Sequence, residues 1–597
     1  MEASTGAAAY TEIEILTNHI GYDRGSVKKA VLRGRSGAGI PEKSTEFRVI
    51  ESGSGKTVFE GKARFIGPVA RWKDWVFWSL DFSALAKEGC FAVEMPGTTA
   101  SVLRSEPFEI AENLLVRRTV PAVLEYFRSQ RCTGILDEAD RDLGFFGPRR
   151  DRVDVHGGWY DASGDKSKYL SHLSYTNFMN PQQTPLAVWS LLEARELFGR
   201  KAAGSPAFEA AAPRSRGAEL LEEAAHGADF LVRMQDAAGY FYQTVFDGWS
   251  KDPGQREICT YRTQAGDKYD DYQAGYRQGG GLAVAALARM STTGVAQDFG
   301  PEEYLVAATR GFDHLERHNM EYLDDGRDNI LDDYCALLAA AELYGAAQVH
   351  GIGEADRFLN AARRRAARLI ARLDGDERYE GWWRADEHGG RPFFHAAEAG
   401  LPVISLLRYR NLEPDEPQRD QALAAARSSL LFELALTAEV TNPFGYARQY
   451  VCSPGAAKRS AFFFPHANES GYWWQGENAR LASLAAAARK AAAVLQEEPE
   501  LQHRLESYAL NQLNWILGCN PFDACMLHGF GRNNPEYEKD YPNAYGGICN
   551  GITAGFDDEQ DIDFLPHPYA GQGEHRWRWS EQWIPHAAWY LMAVCAG

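Results

Sequence analysis

One stretch decides how the rest of the chain is interpreted, and it reads Val155-His156-Gly157-Gly158-Trp159-Tyr160-Asp161-Ala162-Ser163-Gly164-Asp165. Its glycines allow the backbone to fold back on itself, so the carboxylates of Asp161 and Asp165 can face the same point. Two carboxylates around one water can orient it and accept its proton. An Asx-rich turn or a calcium loop would use the same residue types, and spacing alone leaves these alternatives open.

The composition indicates a large globular protein. The chain has 597 residues, 45% hydrophobic and 24% charged, with a net charge of −19. This apolar content excludes a disordered chain, and the negative charge argues against nucleic acid as a partner. Neutral or cationic ligands suit the charge, although solubility alone would also explain it. The aromatic content of 12% suits stacking on sugar rings, or simply a large core.

Targeting and cofactor signals are few. No run of about 18 apolar residues occurs, so no membrane partner is expected. The first ten residues lack the pattern of a signal peptide, and nine scattered cysteines include no CxxC pair. We therefore expect a cytoplasmic protein with reduced thiols, no metal and no cofactor. A secreted or periplasmic protein is the alternative, if a signal peptide has been removed. The oligomeric state stays open, and a homodimer is one arrangement that the sequence allows.

Two regions differ in their hydrophobic period. Residues 1–112 contain alternating stretches such as 12–15, 76–80, 91–95 and 106–110, separated by Gly- and Pro-bearing turns. Short alternating strands at this spacing predict a small β-sandwich domain. We interpret it as a structural brace for the following domain, with carbohydrate binding as the alternative.

Residues 113–597 have the period of helices. Twelve amphipathic or Ala-rich segments are predicted, near 120–127, 184–198, 217–236, 278–291, 303–318, 330–346, 355–373, 395–408, 420–438, 476–496, 501–517 and 582–596. No shared repeat motif accompanies them, which favours a closed double ring of six inner and six outer helices over a solenoid. Long loops at 142–183, 236–277 and 519–581 are where a site is expected.

Several motifs together resemble a known family. The stretch Gly157–Asp165 resembles the Gly-Gly-Trp-Tyr-Asp-Ala-Gly-Asp signature of family 9 glycoside hydrolases, the inverting cellulase family, with Ser163 as one extra residue. Further agreement, in order along the chain, lies at 17–22, 80–83, 272–281, 329–334 and 513–521. The resemblance implies a mainly α fold, an (α/α)6 barrel preceded by an Ig-like β-sandwich.

The resemblance also implies catalytic roles. It makes Asp165 the general base, gives Asp161 the task of holding the water, and makes Glu581, in Trp579–Pro585, the general acid. A helix N-terminal charge is the plain alternative for Glu581. Inverting hydrolysis needs the acid and base about 6.5–9.5 Å apart, and an acid with a raised pKa. Trp159, Trp579 and Trp583 are candidates for the apolar wall that would raise it.

The substrate is the property that the sequence determines least. The cellulase pattern has a His-His-Arg cluster where this chain reads 526–536 without adjacent histidines. The stretches 166–175, 179–185, 394–400 and 463–478 are similar to family 9 exo-β-D-glucosaminidases. That branch releases glucosamine from the non-reducing end of chitosan oligosaccharides, so glucosamine oligomers are the expected substrate.

Binding candidates follow from that interpretation. Spare acids could bind the sugar amine, and aromatic rings could stack on the sugar. The candidates are Trp159, Tyr160, Trp473, Trp474, Glu469 and Glu477, with Asp154, Asp267, Asp270, Asp271 and Glu398 as further acids. A cellulase-type β-1,4-glucanase or exo-glucosidase is the alternative, and a sugar-binding protein without catalysis is the remote one.

Overall fold

The computed structural model describes residues 13–36, 45–97, 102–204, 215–263, 265–387, 389–556, 558–565 and 573–597. Its N-terminal part is built from strands, as predicted. They are β1 (Ile13–Leu16), β2 (Gly21–Asp23), β3 (Lys29–Arg35), β4 (Thr45–Glu51), β5 (Thr57–Pro68), β6 (Trp75–Asp81), β7 (Gly89–Pro96), β8 (Val102–Arg104) and β9 (Phe108–Ala111). Residue 12, part of the first predicted strand, lies outside the described residues.

The strands follow the order β1-β3-β6-β5-β4-β7-β9-β2, with β8 paired to β7. The long strand β5 joins the two halves, because its first part pairs with β4 and its last residues pair with β6. Between the halves lies an apolar core that includes Leu32, Trp78 and Val93. Alternation along the strands thus produces the predicted Ig-like sandwich.

Helices dominate the rest of the described chain. They are α1 (Leu114–Gln130), α2 (Ile135–Asp140), α3 (Thr184–Gly204), α4 (Ser215–Arg233), α5 (Gly281–Ser291), α6 (Pro301–His318), α7 (Ile330–His350), α8 (Ala355–Ile370), α9 (Leu401–Leu412), α10 (Glu416–Ala438), α11 (Asn478–Ala492), α12 (Pro499–Ile516), α13 (Gly573–Ser580) and α14 (Ile584–Ala596). Each of the twelve predicted helical segments overlaps one of these helices. The short helices α2 and α13 were not predicted.

The inner ring closes through its helix contacts. Helix α3 packs on α5, α5 on α7, α7 on α9, α9 on α11, α11 on α14, and α14 on α3. Each inner helix also packs mainly on one outer helix, from the set α1, α4, α6, α8, α10 and α12. All eleven residues of α5 are buried, since an inner helix is covered on every side. The predicted (α/α)6 barrel is confirmed.

Short strands lie in the loops between helices. They are β10 (Lys168–Tyr169), β11 (Phe241–Tyr242), β12 (Thr244–Phe246), β13 (Glu257–Arg262), β14 (Asp267–Tyr269), β15 (Gln273–Ala274), β16 (Leu373–Gly375), β17 (Glu380–Trp383), β18 (Gln449–Val451) and β19 (Arg459–Ala461). Strands β10, β12, β13 and β14 form one sheet, which brings the long loop after α4 against the segment that follows Asp165. None of the described helices is long and apolar enough to cross a membrane.

The sandwich and the barrel share an apolar core. Trp72 and Phe77 of the sandwich are fully buried in the same cluster as the barrel helices. The ring of Trp72 stacks on Phe463, with centroids 6.1 Å apart and planes at 19°. Asn18 adds a polar contact, since its side-chain amide donates to Asn514 Oδ1 at 2.9 Å. The two parts therefore form one packed body.

Candidate active site

A narrow loop positions the two aspartates. Gly157 and Gly158 have φ of +82° and +72°, a left-handed conformation that favours glycine. After them the chain turns back, because the Asp161 N–H donates to Ser167 O at 3.1 Å and Ala162 and Asp165 exchange backbone hydrogen bonds. Both aspartates are therefore held on one short segment, as the motif predicted.

Glu581 comes from the other end of the chain. It lies between α13 and α14, and its carbonyl accepts a hydrogen bond from the Asn550 N–H at 2.8 Å. An isolated antiparallel bridge between Ala162 and Trp583 joins this segment to the aspartate loop. The sequence separation of more than 400 residues is thus closed by direct backbone contact.

All three carboxyl groups line one cavity of about 510 Å³. The other described residues that line it are Ala162, Gly164, His172, Trp249, Lys251, Tyr472, Trp473, Gln475, Tyr537, Glu538, Asn550, Trp577 and Trp583. Aromatic rings thus form much of the wall, and four carboxylic acids face a single lysine among the described lining residues. Such a cavity suits a sugar ring, which offers apolar faces and a rim of hydroxyls.

Burial favours the protonated form of Asp161 and Glu581. It raises the pKa of Glu581 to about 8, and the nearby charge of Asp165 adds to this. Burial also raises the pKa of Asp161 well above its usual range, with Asp165 and Glu581 contributing. Environments that push apart the pKa values of neighbouring carboxyl groups are typical of acid–base sites.

Asp165 has the surroundings of a charged carboxylate. One of its oxygens accepts from the Tyr169 hydroxyl at 2.6 Å and from Trp249 Nε1 at 3.0 Å. Its other oxygen accepts from the Ser167 N–H at 2.8 Å. Three donors stabilise the ionised form, so we assign the negative charge of the aspartate pair to Asp165. Asp161 accepts from Trp583 Nε1 at 3.0 Å.

Comparison with known proteins decides the family. The sequence model of glycosyl hydrolase family 9 matches residues 119–547, and that of the cellulase N-terminal Ig-like domain matches residues 10–100. The chain belongs to glycosyl hydrolase family 9. It is therefore an enzyme that acts on O-glycosyl bonds. Glu581 lies beyond the matched residues, so its place in the site rests on the geometry above.

Relatives carry names that bear on the substrate. The chain is 26% identical over 272 residues to Endoglucanase 19 of Oryza sativa subsp. japonica, covering 43% of this chain and 46% of the relative. It is 27% identical over 260 residues to the Xyloglucan-specific endo-beta-1,4-glucanase BoGH9A of Bacteroides ovatus, covering 40% of each. The chain thus matches less than half the length of either relative.

A solved structure shares the fold over nearly the whole length. A metagenome-derived glycoside hydrolase family 9 endoglucanase covers 98% of both chains with a TM-score of 0.63 at 18% identity. At this identity the likeness concerns the fold alone.

The aromatic residues predicted to bind substrate in this family 9 chain do not all lie in the cavity. Trp473 lines the cavity, with its ring centroid 5.6 Å from that of Trp583. Trp159 is buried in the barrel, where its Nε1 donates to Glu223 at 2.8 Å. Tyr160 packs with Cys132 and Leu136, and Trp474 stacks on His466. None of these last three is among the described lining residues.

Of the acids predicted to bind the amine, three glutamates have ion-pair or hydrogen-bond partners outside the cavity. Glu469 forms an ion pair with Arg391, and Glu477 forms one with the buried Arg480. Glu398 accepts from the Tyr334 hydroxyl at 2.5 Å inside the barrel. No member of this set lines the cavity in the described structure. The arginine partners of Glu469 and Glu477 are tertiary contacts, which sequence alone does not reveal.

Several lining residues were missed by the sequence analysis. Trp249 and Lys251 come from the long loop after α4, and both have left-handed φ, of +59° and +60°. Tyr537 and Trp577 come from the long segment that precedes Glu581. The available signal was loop length with aromatic content, which marks a region without indicating which side chains face inward.

His172 is a further lining residue. Its Nδ1 lies 3.6 Å from Asp161 Oδ2 and has no hydrogen-bond partner among the described residues. Burial lowers the pKa of His172 to about 3, so the neutral ring predominates above that pH. The described residues include no group of three His, Cys, Asp or Glu side chains arranged to hold a metal ion.

Trp249→Phe is expected to lower kcat roughly 10- to 150-fold. The variant keeps a ring in the cavity but loses the hydrogen bond to Asp165, and a bond to a charged group is worth about 1.5–3 kcal/mol. Initial rates at saturating substrate measure the change. Trp589→Phe is the control, because the buried Nε1 of Trp589 has no hydrogen-bond partner among the described residues. An unchanged kcat in Trp249→Phe would show that this bond does not support the base.

Gly164→Ala is expected to lower kcat about 100-fold by moving the acid. A Cβ at Gly164 would lie 2.6 Å from Glu581 Oε1 and 2.8 Å from the Tyr537 hydroxyl. Displacing a reacting group by about 1 Å can cost about 10²-fold in rate. Gly199→Ala in α3 is the control, since its Cβ would enter open space. Equal kcat for both variants would contradict the prediction.

Proposed function

We propose that this family 9 enzyme hydrolyses β-1,4-linked glycans with inversion at the anomeric carbon. Glu581 donates its proton to the oxygen of the leaving sugar. Asp165 takes a proton from a water that attacks the opposite face of the ring, and Asp161 helps to hold that water. The observation that carries the proposal is one cavity that holds both Glu581, whose pKa burial raises to about 8, and Asp165, whose oxygens accept from Tyr169, Trp249 and Ser167.

The favoured substrate is a neutral β-1,4-glucan. Two observations support this choice over chitosan. The acids proposed to bind an amine, Glu469 and Glu477, are paired with arginines outside the described cavity lining. Both curated relatives above are named as endoglucanases. The tryptophans Trp473, Trp577 and Trp583 in the cavity wall would stack on the apolar faces of glucose units.

Exo-β-D-glucosaminidase activity on chitosan oligosaccharides is the second candidate. One observation favours it: four acids and a single lysine line the described cavity, an excess that suits a sugar ammonium. Glu538 is the carboxylate left without a part in the acid–base chemistry above. It is the candidate partner for the amine in this alternative.

Product analysis on two matched substrates tests the choice. Cellotetraose and the tetramer of β-1,4 glucosamine would be incubated at equal concentration with wild type and with Glu581→Gln as a blank. Release of shorter glucans with the glucosamine tetramer intact supports the glucan proposal. Release of glucosamine alone would overturn it in favour of the second candidate.

Stereochemistry is tested on the same reaction. Proton NMR during the first turnovers should show the α-anomer of the new reducing end before mutarotation. An initial β-anomer would contradict the two-carboxylate inverting mechanism.

A further inference from the structure

Ser163, the extra residue of the aspartate loop, contacts the segment that carries Glu581. Its backbone N–H donates to Gln582 O at 3.0 Å. The Gln582 N–H in turn donates to Ser163 Oγ at 3.0 Å. Ser163 is 5% exposed and Gln582 is fully buried, so water does not compete for these bonds. The residue directly after the general acid is therefore held from the loop that carries the base.

Asn543 extends this contact to the other side of Glu581. The Ser163 hydroxyl donates to Asn543 Oδ1 at 3.2 Å. The Asn543 amide nitrogen donates to Ser580 O at 2.8 Å and to Pro535 O at 2.9 Å. Ser580 directly precedes Glu581, and Pro535 begins the segment that brings Tyr537 and Glu538 to the cavity. Both neighbours of Glu581 are thus fixed by one network that starts at Ser163.

We propose that Ser163 is a positioning residue that sets the separation between the base Asp165 and the acid Glu581. The inference rests on the proposed function, because the separation matters only if these two groups act on opposite faces of one sugar. Ser163 lies two residues from Asp165 and holds Gln582 by both its backbone and its side chain. The extra residue Ser163 therefore helps to hold the acid and the base in their relative positions.

The separation has two measurable consequences. Inverting hydrolysis needs a defined space for the water between the two carboxyl groups, so a change of about 1 Å costs about 10²-fold in rate. The charge of Asp165 also contributes to the raised pKa of Glu581. Moving the two groups apart would weaken that repulsion and lower the pKa of Glu581.

Ser163→Ala tests the proposal in the full-length enzyme. We expect kcat to fall about tenfold or more while KM stays close to the wild-type value, because substrate contacts remain. The alkaline limb of the kcat/KM profile should move to lower pH. Ser163→Thr keeps the hydroxyl and should restore both quantities towards wild type. Ser171→Ala is the matched control, since within the described part of the chain the hydroxyl of this buried serine donates only to the adjacent His172 carbonyl.

A substrate-free measurement separates this inference from the proposed function. Carbon NMR of labelled glutamate, assigned with Glu581→Gln, reports the titration of Glu581 directly. A lower pKa of Glu581 in Ser163→Ala supports the inference even if the wild type cleaves neither tetramer. An unchanged titration together with an unchanged kcat overturns it, as does a fall in melting temperature alone. Should Ser163→Ala not fold, Asn543→Ala removes the outer half of the network and must shift both readouts in the same direction.

Discussion

Glu581→Gln is expected to lower kcat by about 10²–10⁴-fold, the usual contribution of a general acid or base. Glutamine keeps the size of the side chain but has no acidic proton to give to the leaving oxygen. Initial rates on the substrate identified by product analysis measure the loss. Glu536→Gln makes the same chemical change at an exposed residue outside the described cavity lining and should keep wild-type kcat. A Glu581→Gln variant with wild-type kcat would remove Glu581 from the mechanism.

The pH profile gives a second test of the same residue. Glu581 must be protonated to act, and burial raises its pKa to about 8, so wild-type kcat/KM should decline as pH rises through about 8. Asp165→Asn removes the charge that helps to raise this pKa. In the residual activity of that variant, or in the NMR titration of Glu581, the transition should move to lower pH. A transition that stays at about 8 would show that burial alone sets it.

The contribution of Glu581 to stability should decrease as pH rises, whereas that of a carboxylate in an ion pair increases as pH rises. The folded-state pKa of Glu581 is raised from 4.5 to about 8, so the folded state holds this proton more tightly than the unfolded chain. The contribution of Glu581 to the free energy of unfolding is present below pH 4.5 and is lost as pH rises to about 8. Glu581→Gln should therefore gain stability relative to wild type across that window.

The frame of the barrel could be predicted from sequence because local patterns determine it. Outer helices such as α8 bury one face and show the helical period, inner helices such as α5 are apolar or small on every side, and Pro or Asx residues mark several helix starts, such as Pro301 and Asn329. Ring closure could not be predicted in this way. It depends on α3 meeting α14, almost 400 residues later, and periodicity has no information about such a contact.

The residues of the candidate site also include some that local sequence predicts and some that it does not. Asp161 and Asp165 are recognisable because glycines and short spacing bring them together locally. Trp249 and Lys251 are not, because a loop with left-handed residues follows no hydrophobic period. The acids predicted to bind the amine show the opposite problem. The sequence shows that Glu469 is charged, but it does not show that Glu469 pairs with Arg391, 78 residues away. Only the tertiary structure shows whether such a charge is free to bind a ligand or is already paired within the protein.

Trp72→Ala is expected to destabilise the whole enzyme by about 3–5 kcal/mol, the usual cost of removing a large buried aromatic side chain. Trp72 belongs to the sandwich, but it is fully buried against Phe462, Phe463 and Trp515 of the barrel. If the sandwich is a brace, the loss should appear as a lower melting temperature of the barrel, followed by heat inactivation. The KM for substrate should not change below the transition.

Trp72→Phe is the matched control for this prediction. The Nε1 of Trp72 has no hydrogen-bond partner among the described residues, so phenylalanine loses only part of the packing and no polar contact. We expect a much smaller decrease in melting temperature than for alanine. Deletion of residues 1–112 should be more severe than either substitution, because it exposes the whole apolar face that Trp72 and Phe77 cover. A truncated barrel with unchanged melting temperature and a raised KM would instead assign the sandwich to substrate binding.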